Sequence, residues 1–456
     1  MRLVLLSGGM GKRLWPLSNQ IRSKQFLRLL DHEQGLKESM IQRNWRQLTQ
    51  LGLTDNAIIA THEGQKSMIS QQIGASVPLV IEPAQRDTFP AISLATTYLQ
   101  LFSEVTADET IIVIPVDLYV DDHFFESLLN LDAIIQSQDT HVALMGIKAN
   151  TPSERYGYIV PQNEETQDAR LVERFVEKPD RTTASKLIEE GAMWNSGVFA
   201  FKCGYLLSKL NEGGYPNTYH QLLESYHTLP CTSFDYEIIE NEPNKKVVSF
   251  HGLWKDLGTW ESLTEEMPVH RNGKGRIDSK SINTHLVNEL NIPIIALGMN
   301  DCIIAASQDG ILVADKAMSN HVKHFKDTFL SRPMYEERQW GWYKVLDHQV
   351  EHDHETLVKR VFLYAGKNIS YQMHNHREEV WTITKGRGKL AFNGKIYDVA
   401  PSDIRHIPVG SLHGLYASTD LEFIEVQSGD QLVEEDIKRL YLKWEDIERN
   451  CTAHSG

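Results

Sequence analysis

The feature that most constrains this chain is a glycine-rich loop that directly follows its first apolar segment. Residues 3–6 form the apolar run L-V-L-L, and Ser7, Gly8, Gly9 and Gly11 follow within five residues. Glycine adopts positive φ without a Cβ clash, so such a loop lets backbone N–H groups approach a ligand closely. A buried strand that ends in this kind of loop predicts an anion-binding turn in a fold built from strands and helices.

Three cations close to this loop, Lys12, Arg13 and Lys24, indicate which anion it binds. Cations beside backbone amides suit a triphosphate better than a dinucleotide, whose pyrophosphate is usually held with less side-chain charge. The pattern G-x-x-x-x-G-K-[ST] is absent, so the loop is not a P-loop. The glycines alone are equally typical of a tight turn in another α/β protein, which leaves that alternative open.

Composition limits the classes of function. A length of 456 residues predicts about three domains, and 41% hydrophobic with 23% charged residues is typical of a globular protein. The net charge of −15 argues against general nucleic-acid binding. The chain has no apolar stretch of about eighteen residues and enters its first strand near residue 3, so we expect a cytoplasmic protein without a membrane segment. Four widely spaced cysteines without a C-x-x-C pair predict neither a disulfide framework nor a zinc knuckle.

Residues 1–265 alternate between short apolar runs and helix-like segments. This alternation predicts an α/β domain with a Rossmann-like, mostly parallel sheet covered by helices on both faces. Ligands of such sheets bind outside the carboxyl ends of the strands. Asp117 lies two residues after the apolar run 110–115 and is the first candidate acid, although an isolated aspartate there is also typical of a turn or a helix N-cap.

The start of the chain resembles a known signature. Residues 8–18 and the following K-Q-F-L resemble G-G-x-G-x-R-L-x-P-L-[ST] and P-K of the sugar-1-phosphate nucleotidyltransferases, and L-W-P-L-S is similar to the mannose-1-phosphate guanylyltransferase branch. Ser23 stands where the family has proline, which predicts a looser turn before Lys24. The segment I-P-V-D-L around Asp117 resembles the family's P-A-D-H, and W-K-D-L-G-T-W around Asp256 resembles its second metal-binding segment.

The resemblance implies functional residues in three parts of this domain. The implied catalytic residues are Arg13, Lys24, Asp117 and Asp256. The resemblance also implies that the two aspartates hold Mg²⁺. The implied nucleotide contacts come from the glycine loop, the segment E-P-A-Q-R-D-T and one strand end: Leu6, Ser7, Gly8, Gly9, Gly11, Lys12, Glu82, Arg86, Asp87 and Pro115. The implied sugar-phosphate contacts lie in R-Y-G-Y, E-K-P, W-N-S-G and F-D-Y: Tyr156, Gly157, Glu177, Lys178, Asn195 and Asp235.

The reaction that the resemblance implies is transfer of a nucleotidyl group from GTP to mannose 1-phosphate, giving GDP-mannose and pyrophosphate. A phosphate monoester is already a nucleophile near neutral pH, so positioning and charge neutralisation suffice and no general base is required. A pyrophosphorylase for another hexose 1-phosphate or nucleotide, and a non-catalytic sugar-nucleotide sensor, remain alternatives. Most such enzymes are symmetric oligomers, and we expect a homodimer.

Helical periodicity is lost after residue 266. Residues 266–335 resemble the short β-helical linker of the same family. Residues 336–456 contain H-x-H-x-x-E-x6-G and a later P-V-G-S-L-H, which supply four candidate metal ligands: His374, His376, Glu379 and His413. Because alternate residues of a strand share a face, we expect the first two histidines to project together and to form a divalent metal site with the other two residues.

This last segment resembles the cupin fold, a small β-barrel, and more narrowly the type II phosphomannose isomerase module, which implies Zn²⁺ or another divalent metal. A lone H-x-H is more typical of a surface strand. Val380 stands where that family has a histidine, and valine cannot move the proton that aldose–ketose isomerisation transfers between adjacent carbons. Two alternatives follow: a bifunctional enzyme that also interconverts mannose 6-phosphate and fructose 6-phosphate, and a passive domain that holds a metal or supports oligomerisation.

Overall fold

The structure is a computed structural model of the 456-residue chain and describes residues 1–9, 12–19, 21–32, 35–137, 140–162, 169–326 and 332–453. Its contacts divide the chain into two compact units. Unit 1 comprises Met1–Leu14, Ser18–His270 and Lys316–Lys323, and unit 2 comprises Trp15–Leu17, Arg271–Asp315 and His324–Gly456. The segments predicted as a β-helical linker and a barrel therefore lie mostly in unit 2.

Unit 1 alternates strands with helices. Its strands are β1 (Arg2–Ser7), β2 (Leu30–Asp31), β3 (Lys37–Glu38), β4 (Ala57–His62), β5 (Leu79–Glu82), β6 (Thr110–Pro115), β7 (Leu118–Val120), β8 (Val142–Lys148), β9 (Tyr158–Pro161), β10 (Ala169–Val176), β11 (Met193–Lys202), β12 (Lys245–Phe250) and β13 (Trp254–Asp256). Its helices are α1 (Met40–Gln50), α2 (Glu63–Ile73), α3 (Thr88–Phe102), α4 (Asp122–Glu126), α5 (Leu128–Ser137), α6 (Arg181–Glu189), α7 (Cys203–Glu212), α8 (Tyr219–Glu224) and α9 (Trp260–Glu265).

Nine of these strands form one sheet in the order β5-β4-β1-β6-β11-β8-β12-β10-β9. Strands β10 and β11 run against the other seven, so the sheet is mostly parallel, as the sequence predicts. Two large apolar clusters cover its two faces. The central strand β6, T-I-I-V-I-P, is buried on both faces, which explains why its sequence is uniformly apolar rather than alternating. The predicted fold class is confirmed.

Local sequence explains where the helices of unit 1 begin. The side chain of Ser39 accepts a hydrogen bond from the Gln42 backbone N–H, and the Gln42 side chain accepts one from the Ser39 backbone, which forms a capping box before α1. Asp180 caps α6 by accepting from the Thr183 N–H. The apolar helix α3 has no polar face, because it is enclosed in the cluster on one side of the sheet.

Strand pairing in unit 1 brings distant segments to one edge of the sheet. Strands β1 and β6 are parallel neighbours with Leu6 opposite Pro115, so the glycine loop and the segment after β6 leave the sheet side by side. The two short strands β7 and β13 pair with each other, with Leu118 opposite Asp256. This pairing places Asp117, the residue before β7, next to Asp256.

Unit 2 consists almost entirely of strands. These are β14 (Arg271–Gly273), β15 (Gly275–Ile277), β16 (His285–Asn288), β17 (Ile294–Ala296), β18 (Cys302–Ser307), β19 (Gly310–Asp315), β20 (Tyr335–Arg338), β21 (Gly341–Glu351), β22 (His354–Leu363), β23 (Asn368–Met373), β24 (Arg377–Lys385), β25 (Gly388–Phe392), β26 (Lys395–Val399), β27 (Ile404–Ile407), β28 (His413–Ala417), β29 (Leu421–Gly429), β30 (Lys438–Tyr441) and β31 (Thr452–Ala453). Two helices accompany them in the second half of the chain, α10 (Val322–Lys326) and α11 (Trp444–Asn450).

Two kinds of strand pairing occur in unit 2. The short strands β14, β16 and β18 stack in parallel, as do β15 and β17, which is the arrangement of successive turns in a β-helix. The later strands form two six-stranded sheets, β20-β21-β22-β29-β24-β27 and β30-β23-β28-β25-β26-β31, around an apolar core. Among the described residues of the whole chain, no helix has both the length and the apolar character that crossing a membrane requires.

Candidate active site and a buried cluster in the barrel

The centre of the candidate active site is an ion-paired group formed by one lysine and two aspartates. The Nζ atom of Lys24 lies 2.6 Å from Oδ2 of Asp117 and 2.9 Å from Oδ1 of Asp256. The three residues come from separate segments that meet at the carboxyl edge of the sheet, where ligands of such folds bind. The structure thus brings both predicted metal-binding carboxylates and the predicted lysine together.

Opposite charges stabilise the ionised forms in this group. Burial opposes the charge on Lys24, but the two carboxylates outweigh it and raise the pKa of Lys24 above its ordinary value. Burial likewise opposes ionisation of Asp256, yet Lys24 outweighs this effect and lowers its pKa. Arg155 and Arg13 also attract the Asp256 carboxylate. The predicted catalytic arginine, Arg13, is therefore close enough to act on the same charge.

The turn that presents Lys24 is held by a buried polar network. Gln65 on α2 donates from Nε2 to Oγ of Ser23 at 2.7 Å, and its Oε1 accepts from Oγ of Ser7 at 3.0 Å. Gln25 donates to the Ser7 hydroxyl at 3.2 Å. Ser23 is fully buried and has φ −72°, close to the value that proline would impose. The turn thus has a proline-like φ without a proline, and the Ser23 hydroxyl connects it to Gln65; the looser turn expected at Ser23 stays a prediction.

The glycine loop lies beside the end of β5. A Cβ built on Gly8 would lie 3.6 Å from Oε1 of Glu82, whereas no atom of the described residues lies within 4 Å of the corresponding point at Gly9. Among these residues Gly9 therefore faces open space, as a loop that admits a ligand requires. Gly11 and the side chain of Lys12 lie outside the described residues.

Glu82 is the buried acid of the predicted nucleotide side. Its Oε2 accepts a hydrogen bond from the Tyr226 hydroxyl at 2.7 Å. Burial raises the pKa of Glu82 to about 7, against the opposing effect of this hydrogen bond. Arg86 donates from Nε to the backbone oxygen of Leu229 at 2.7 Å, and Asp87 caps α3 from a backbone with φ +68°. The guanidinium of Arg86 is thus held in place by the main chain.

The predicted sugar side contains a close approach between two strand ends. A Cβ at Gly157 would lie 2.4 Å from Oε2 of Glu177, so only glycine leaves room for this carboxylate. Oε1 of Glu177 pairs with Nζ of Lys178 at 2.6 Å. Burial opposes the charge of Lys178, but Glu177 outweighs it and raises the pKa of the lysine.

Asn195 and Asp235 join the same pocket by a direct hydrogen bond. Nδ2 of Asn195 donates to Oδ1 of Asp235 at 2.7 Å, and Oδ1 of Asn195 accepts from the Gly197 N–H at 3.1 Å. Burial, together with the negative charge of Glu177, raises the pKa of Asp235 to about 7. The pocket therefore holds two neighbouring carboxyl groups, which suits hydroxyl groups of a sugar as ligands.

Aromatic rings connect the sugar side with the lysine–aspartate group. The ring of Tyr156 lies 5.0 Å from that of Trp194 and 5.5 Å from that of Trp254, measured between centroids. Trp254 precedes Asp256 on β13, and the charge of Asp256 acts on the Tyr156 hydroxyl. The Nε1 atoms of both tryptophans are buried without a hydrogen-bond partner among the described residues, which leaves two N–H donors for water or ligand.

The donor set at Asp117 and Asp256 fits a magnesium ion. Both are carboxylates whose oxygens reach one common point, now taken by the Lys24 ammonium. Magnesium prefers hard oxygen ligands, takes one or two carboxylates from the protein and completes its shell with water and substrate phosphates. The sugar-1-phosphate nucleotidyltransferases that the start of the chain resembles generally use a divalent metal ion.

A second cluster of functional groups lies inside the barrel of unit 2. Donor atoms of His374, Glu379 and His413 lie within 4.8 Å of one another, and all three residues are buried. Nδ1 of His413 bonds to the Ser411 carbonyl oxygen, and its Nε2 is buried without a hydrogen-bond partner among the described residues, 3.6 Å from Glu379. An unpartnered imidazole nitrogen facing a carboxylate and a second histidine fits a divalent metal.

The structure separates His376 from this cluster. Strand β23 ends at Met373 and β24 begins at Arg377, so His374 and His376 lie in the turn between them. The alternation of a strand does not apply there, and the half-exposed ring of His376 faces Asp430 instead, with Nδ1 3.5 Å from its Oδ1. The expectation that the two histidines project together is therefore wrong.

Several residues that contact or act on the two sites were not predicted from the sequence as site residues. In unit 1 these are Arg155, Gln65 and Tyr226, which act through Asp256, Ser23 and Glu82. In the barrel, Glu379 also accepts hydrogen bonds from Arg377 and Trp381 at 3.0 Å and from Gln427 at 3.3 Å. Arg155 was within reach of the analysis, since it belongs to the R-Y-G-Y motif. Gln65 and Tyr226 carry no local signal, because their partners are far away in the sequence.

Family models match both halves of the chain. The nucleotidyl transferase family model matches residues 2–272, and the mannose-6-phosphate isomerase C-terminal model matches residues 328–441. A mannose-1-phosphate guanylyltransferase of Salmonella muenchen is 30% identical over 96% of this chain and 97% of its own. The alginate biosynthesis protein AlgA of Pseudomonas aeruginosa is 29% identical over 96% and 95%.

Among solved structures, the crystal structure of mannose-1-phosphate geranyltransferase from Thermus thermophilus has a TM-score of 0.60 and 26% identity, covering 72% of this chain and 98% of that one. This similarity extends over most of the chain. The chain therefore belongs to the mannose-1-phosphate guanylyltransferase family of nucleotidyl transferases, in the form that carries a mannose-6-phosphate isomerase C-terminal domain.

Proposed function

We propose that this chain transfers the guanylyl group of GTP to mannose 1-phosphate and releases pyrophosphate. The observation that carries the proposal is the group of Lys24, Asp117 and Asp256 at the carboxyl edge of the sheet, beside a glycine loop that faces open space. The relatives with this reaction in their names match almost the whole chain. The family substrates, a nucleoside triphosphate and a sugar 1-phosphate, fit a site with cations on one side and carboxyl groups on the other.

The reaction needs charge neutralisation more than proton transfer. The phosphate monoester of the sugar attacks the α-phosphorus of the nucleotide, and pyrophosphate leaves on the opposite side. A Mg²⁺ ion held by Asp117 and Asp256 would neutralise negative charge on the triphosphate. Arg13 and Lys24 stabilise the charge on the transferred group and the leaving pyrophosphate, and Lys178 holds the phosphate of the incoming sugar.

The two substrates would bind at different parts of the sheet edge. In the proposed complex the backbone of Gly8 and Gly9 binds the phosphates, and Glu82, whose Oε1 would lie 3.6 Å from a Cβ built on Gly8, borders the nucleotide. On the sugar side, Glu177 and the hydrogen-bonded pair of Asn195 and Asp235 accept or donate hydrogen bonds to the hexose hydroxyls. The pocket orients the sugar, while the cations hold the nucleotide for in-line attack.

The test is a panel of nucleoside triphosphates against hexose 1-phosphates, with pyrophosphate release measured in the presence of Mg²⁺. We expect GTP with mannose 1-phosphate to give the highest kcat/KM. A different preferred pair would keep the reaction class and correct the substrates. Binding of nucleotide without turnover of any pair would favour the non-catalytic sugar-nucleotide sensor.

Two substitutions test the metal site in the same assay. Asp117→Asn and Asp256→Asn should each lower kcat by about 100-fold or more, because the transferring group loses the charge that the metal and its ligands supply. Asp55→Asn, at an exposed aspartate far from the site in sequence, is the matched control and should leave kcat unchanged. Full activity of the double variant Asp117→Asn/Asp256→Asn would contradict the proposed mechanism.

A second activity, interconversion of mannose 6-phosphate and fructose 6-phosphate, is favoured by the cluster of His374, Glu379 and His413. Val380 is less of an obstacle than the sequence suggests. Glu379 and Trp381 point into the barrel, so the intervening Val380 points to the other face of β24 and away from the cluster. Isomerase assays with Zn²⁺ and with Co²⁺ test this activity, and its absence with both metals would leave the barrel a passive domain.

We further propose that the enzyme acts as a cytoplasmic homodimer. All four cysteines are free thiols in the structure, which suits a reducing compartment. Twofold dimers are the commonest symmetric oligomers of such enzymes. Light scattering on the purified protein measures the molar mass, and a value of one chain would contradict the dimer.

A further inference from the structure

The position of Lys24 bears on how a metal ion reaches Asp117 and Asp256. The lysine does not point to solvent: its ammonium group is in hydrogen-bond contact with one oxygen of each aspartate, at 2.6 and 2.9 Å. The lysine side chain is 16% exposed, and the aspartates are 28% and 20% exposed. The ammonium therefore forms a closed ion pair with both of the carboxylates that would hold a divalent cation.

A metal and this ammonium cannot use the same two oxygens, Oδ2 of Asp117 and Oδ1 of Asp256, at the same time. A magnesium ion bound to these two oxygens would lie about 2.0–2.1 Å from each, in the space that Nζ occupies. A magnesium ion on the other oxygen of each carboxylate would still lie close to the ammonium, and two cations that close together repel each other strongly. Tight binding of a divalent ion by both carboxylates therefore favours movement of the lysine.

The turn that carries Lys24 is fixed, so the movement must come from the lysine side chain. The turn that carries it is fixed by the hydrogen bond between Gln65 and the buried Ser23, and Gln25 anchors the same turn to Ser7. On the other side, the two aspartates are held by the pairing of β7 with β13. Within this frame the side chain needs a second negatively charged partner, and the triphosphate of a nucleotide supplies one at the neighbouring glycine loop.

We propose that Lys24 is a removable counter-cation that closes the metal site until a nucleotide binds. Without nucleotide, the ammonium occupies the gap between Asp117 and Asp256 and keeps divalent ions out. A bound triphosphate takes the ammonium as its own partner and thereby opens the two carboxylates to the metal. The inference depends on the proposed function for the identity of the metal site, but it concerns binding rather than turnover.

Manganese binding to the full-length protein tests this proposal without any turnover. Free Mn²⁺ is measured by electron paramagnetic resonance in the absence of nucleotide. Because the barrel cluster also binds divalent ions under the proposed function, each protein is compared with its Asp117→Asn counterpart, and the difference reports this site alone. Lys24→Met should bind one more Mn²⁺ per chain than Lys24→Met/Asp117→Asn. The wild type and Asp117→Asn should bind equal amounts of Mn²⁺, up to a free Mn²⁺ concentration at least tenfold above the dissociation constant of that additional site.

Two further measurements test whether the charge of residue 24 excludes Mn²⁺ and whether a bound nucleotide admits it. Lys24→Arg keeps a cation and should exclude Mn²⁺ as the wild type does. Addition of a GTP analogue with a methylene group between the α- and β-phosphates should produce Asp117-dependent Mn²⁺ binding in the wild type. Thermal unfolding of each variant verifies that the folded protein is compared.

Either of two results would overturn the proposal. The first is Asp117-dependent Mn²⁺ binding by the nucleotide-free wild type, a result that does not depend on any lysine variant being folded. The second is a folded Lys24→Met protein that gains no Mn²⁺. A protein that follows the expected pattern but turns over no nucleotide would refute the proposed function alone, so the two failures are distinguishable.

Discussion

At the scale of single residues, the fold makes ionisation of the Asp235 carboxyl group less favourable. Burial and the charge of Glu177 raise its pKa from 3.8 to about 7. Between these values the folded protein holds a proton that the unfolded protein has lost, so this contribution to stability is fully present below about pH 4 and is lost as the pH rises through 7. Asp235→Asn cannot ionise and should gain about 1–2 kcal/mol of stability relative to wild type between pH 5 and pH 8.

Urea unfolding of both proteins at the two pH values measures this change. A difference in stability that is the same at pH 5 and pH 8 would mean that Asp235 ionises normally in the folded protein.

Gly157 offers a second test at the residue scale. A methyl group at this position would lie 2.4 Å from Oε2 of Glu177, so Gly157→Ala must displace the carboxylate that we assign to the hexose. We expect the KM for the hexose 1-phosphate to rise at least tenfold, because a displaced ligand group loses its alignment. The KM for the nucleotide serves as the internal control and should stay within about twofold. An equal change in both constants would indicate a general loss of structure rather than a change in the sugar pocket.

At the scale of elements, the turn that carries Lys24 depends on buried side chains instead of a proline. Ser23→Ala removes the acceptor of the Gln65 Nε2 hydrogen bond and leaves a buried amide without a partner. The free energy of unfolding should fall by about 1–3 kcal/mol. Ser137→Ala, at an exposed serine that bonds only to the main chain of its own helix, is the matched control and should change stability by less than about 0.5 kcal/mol. Thermal or urea unfolding compares the two, and equal effects would contradict a role for the network.

Strand periodicity predicted much of the fold, and it failed where an element ended. The apolar run of β6 and the position of Asp117 after it correctly indicated the edge of a parallel sheet, because strand ends in such folds share one side. The same reasoning failed at His374 and His376, since β23 ends at Met373, before both histidines. The pairing of β7 with β13 could not be predicted either, because it joins segments more than a hundred residues apart.

At the scale of the whole molecule, the two units carry separate sites. Substitutions in the barrel can therefore test metal binding there while the residues of the transferase site stay unchanged. His413→Gln should abolish binding of zinc by the barrel, because its unpartnered Nε2 is one of three converging donors. His376→Gln is the matched control, since its half-exposed ring faces Asp430, and it should retain the metal. Metal content by mass spectrometry after Zn²⁺ loading checks both.

Guanylyl transfer by both variants should equal that of the wild type. The ligand set predicted from sequence includes His376 and therefore predicts that His376→Gln loses zinc. Loss of zinc from His376→Gln would therefore restore the original prediction and contradict the geometry of the turn between β23 and β24.

The course of the chain also has a consequence for how such genes can recombine. Unit 1 includes residues 316–323, which follow the whole β-helical segment of unit 2, and the turn at Ala317–His321 packs against α9. A hybrid gene with a single junction after residue 272, where the matched transferase region ends, would deprive α9 of its own parent's turn. Exchange of unit 1 without the β-helical segment would need junctions near residues 270, 315 and 323, whereas a single junction after residue 323 would carry unit 1 and the β-helical segment together.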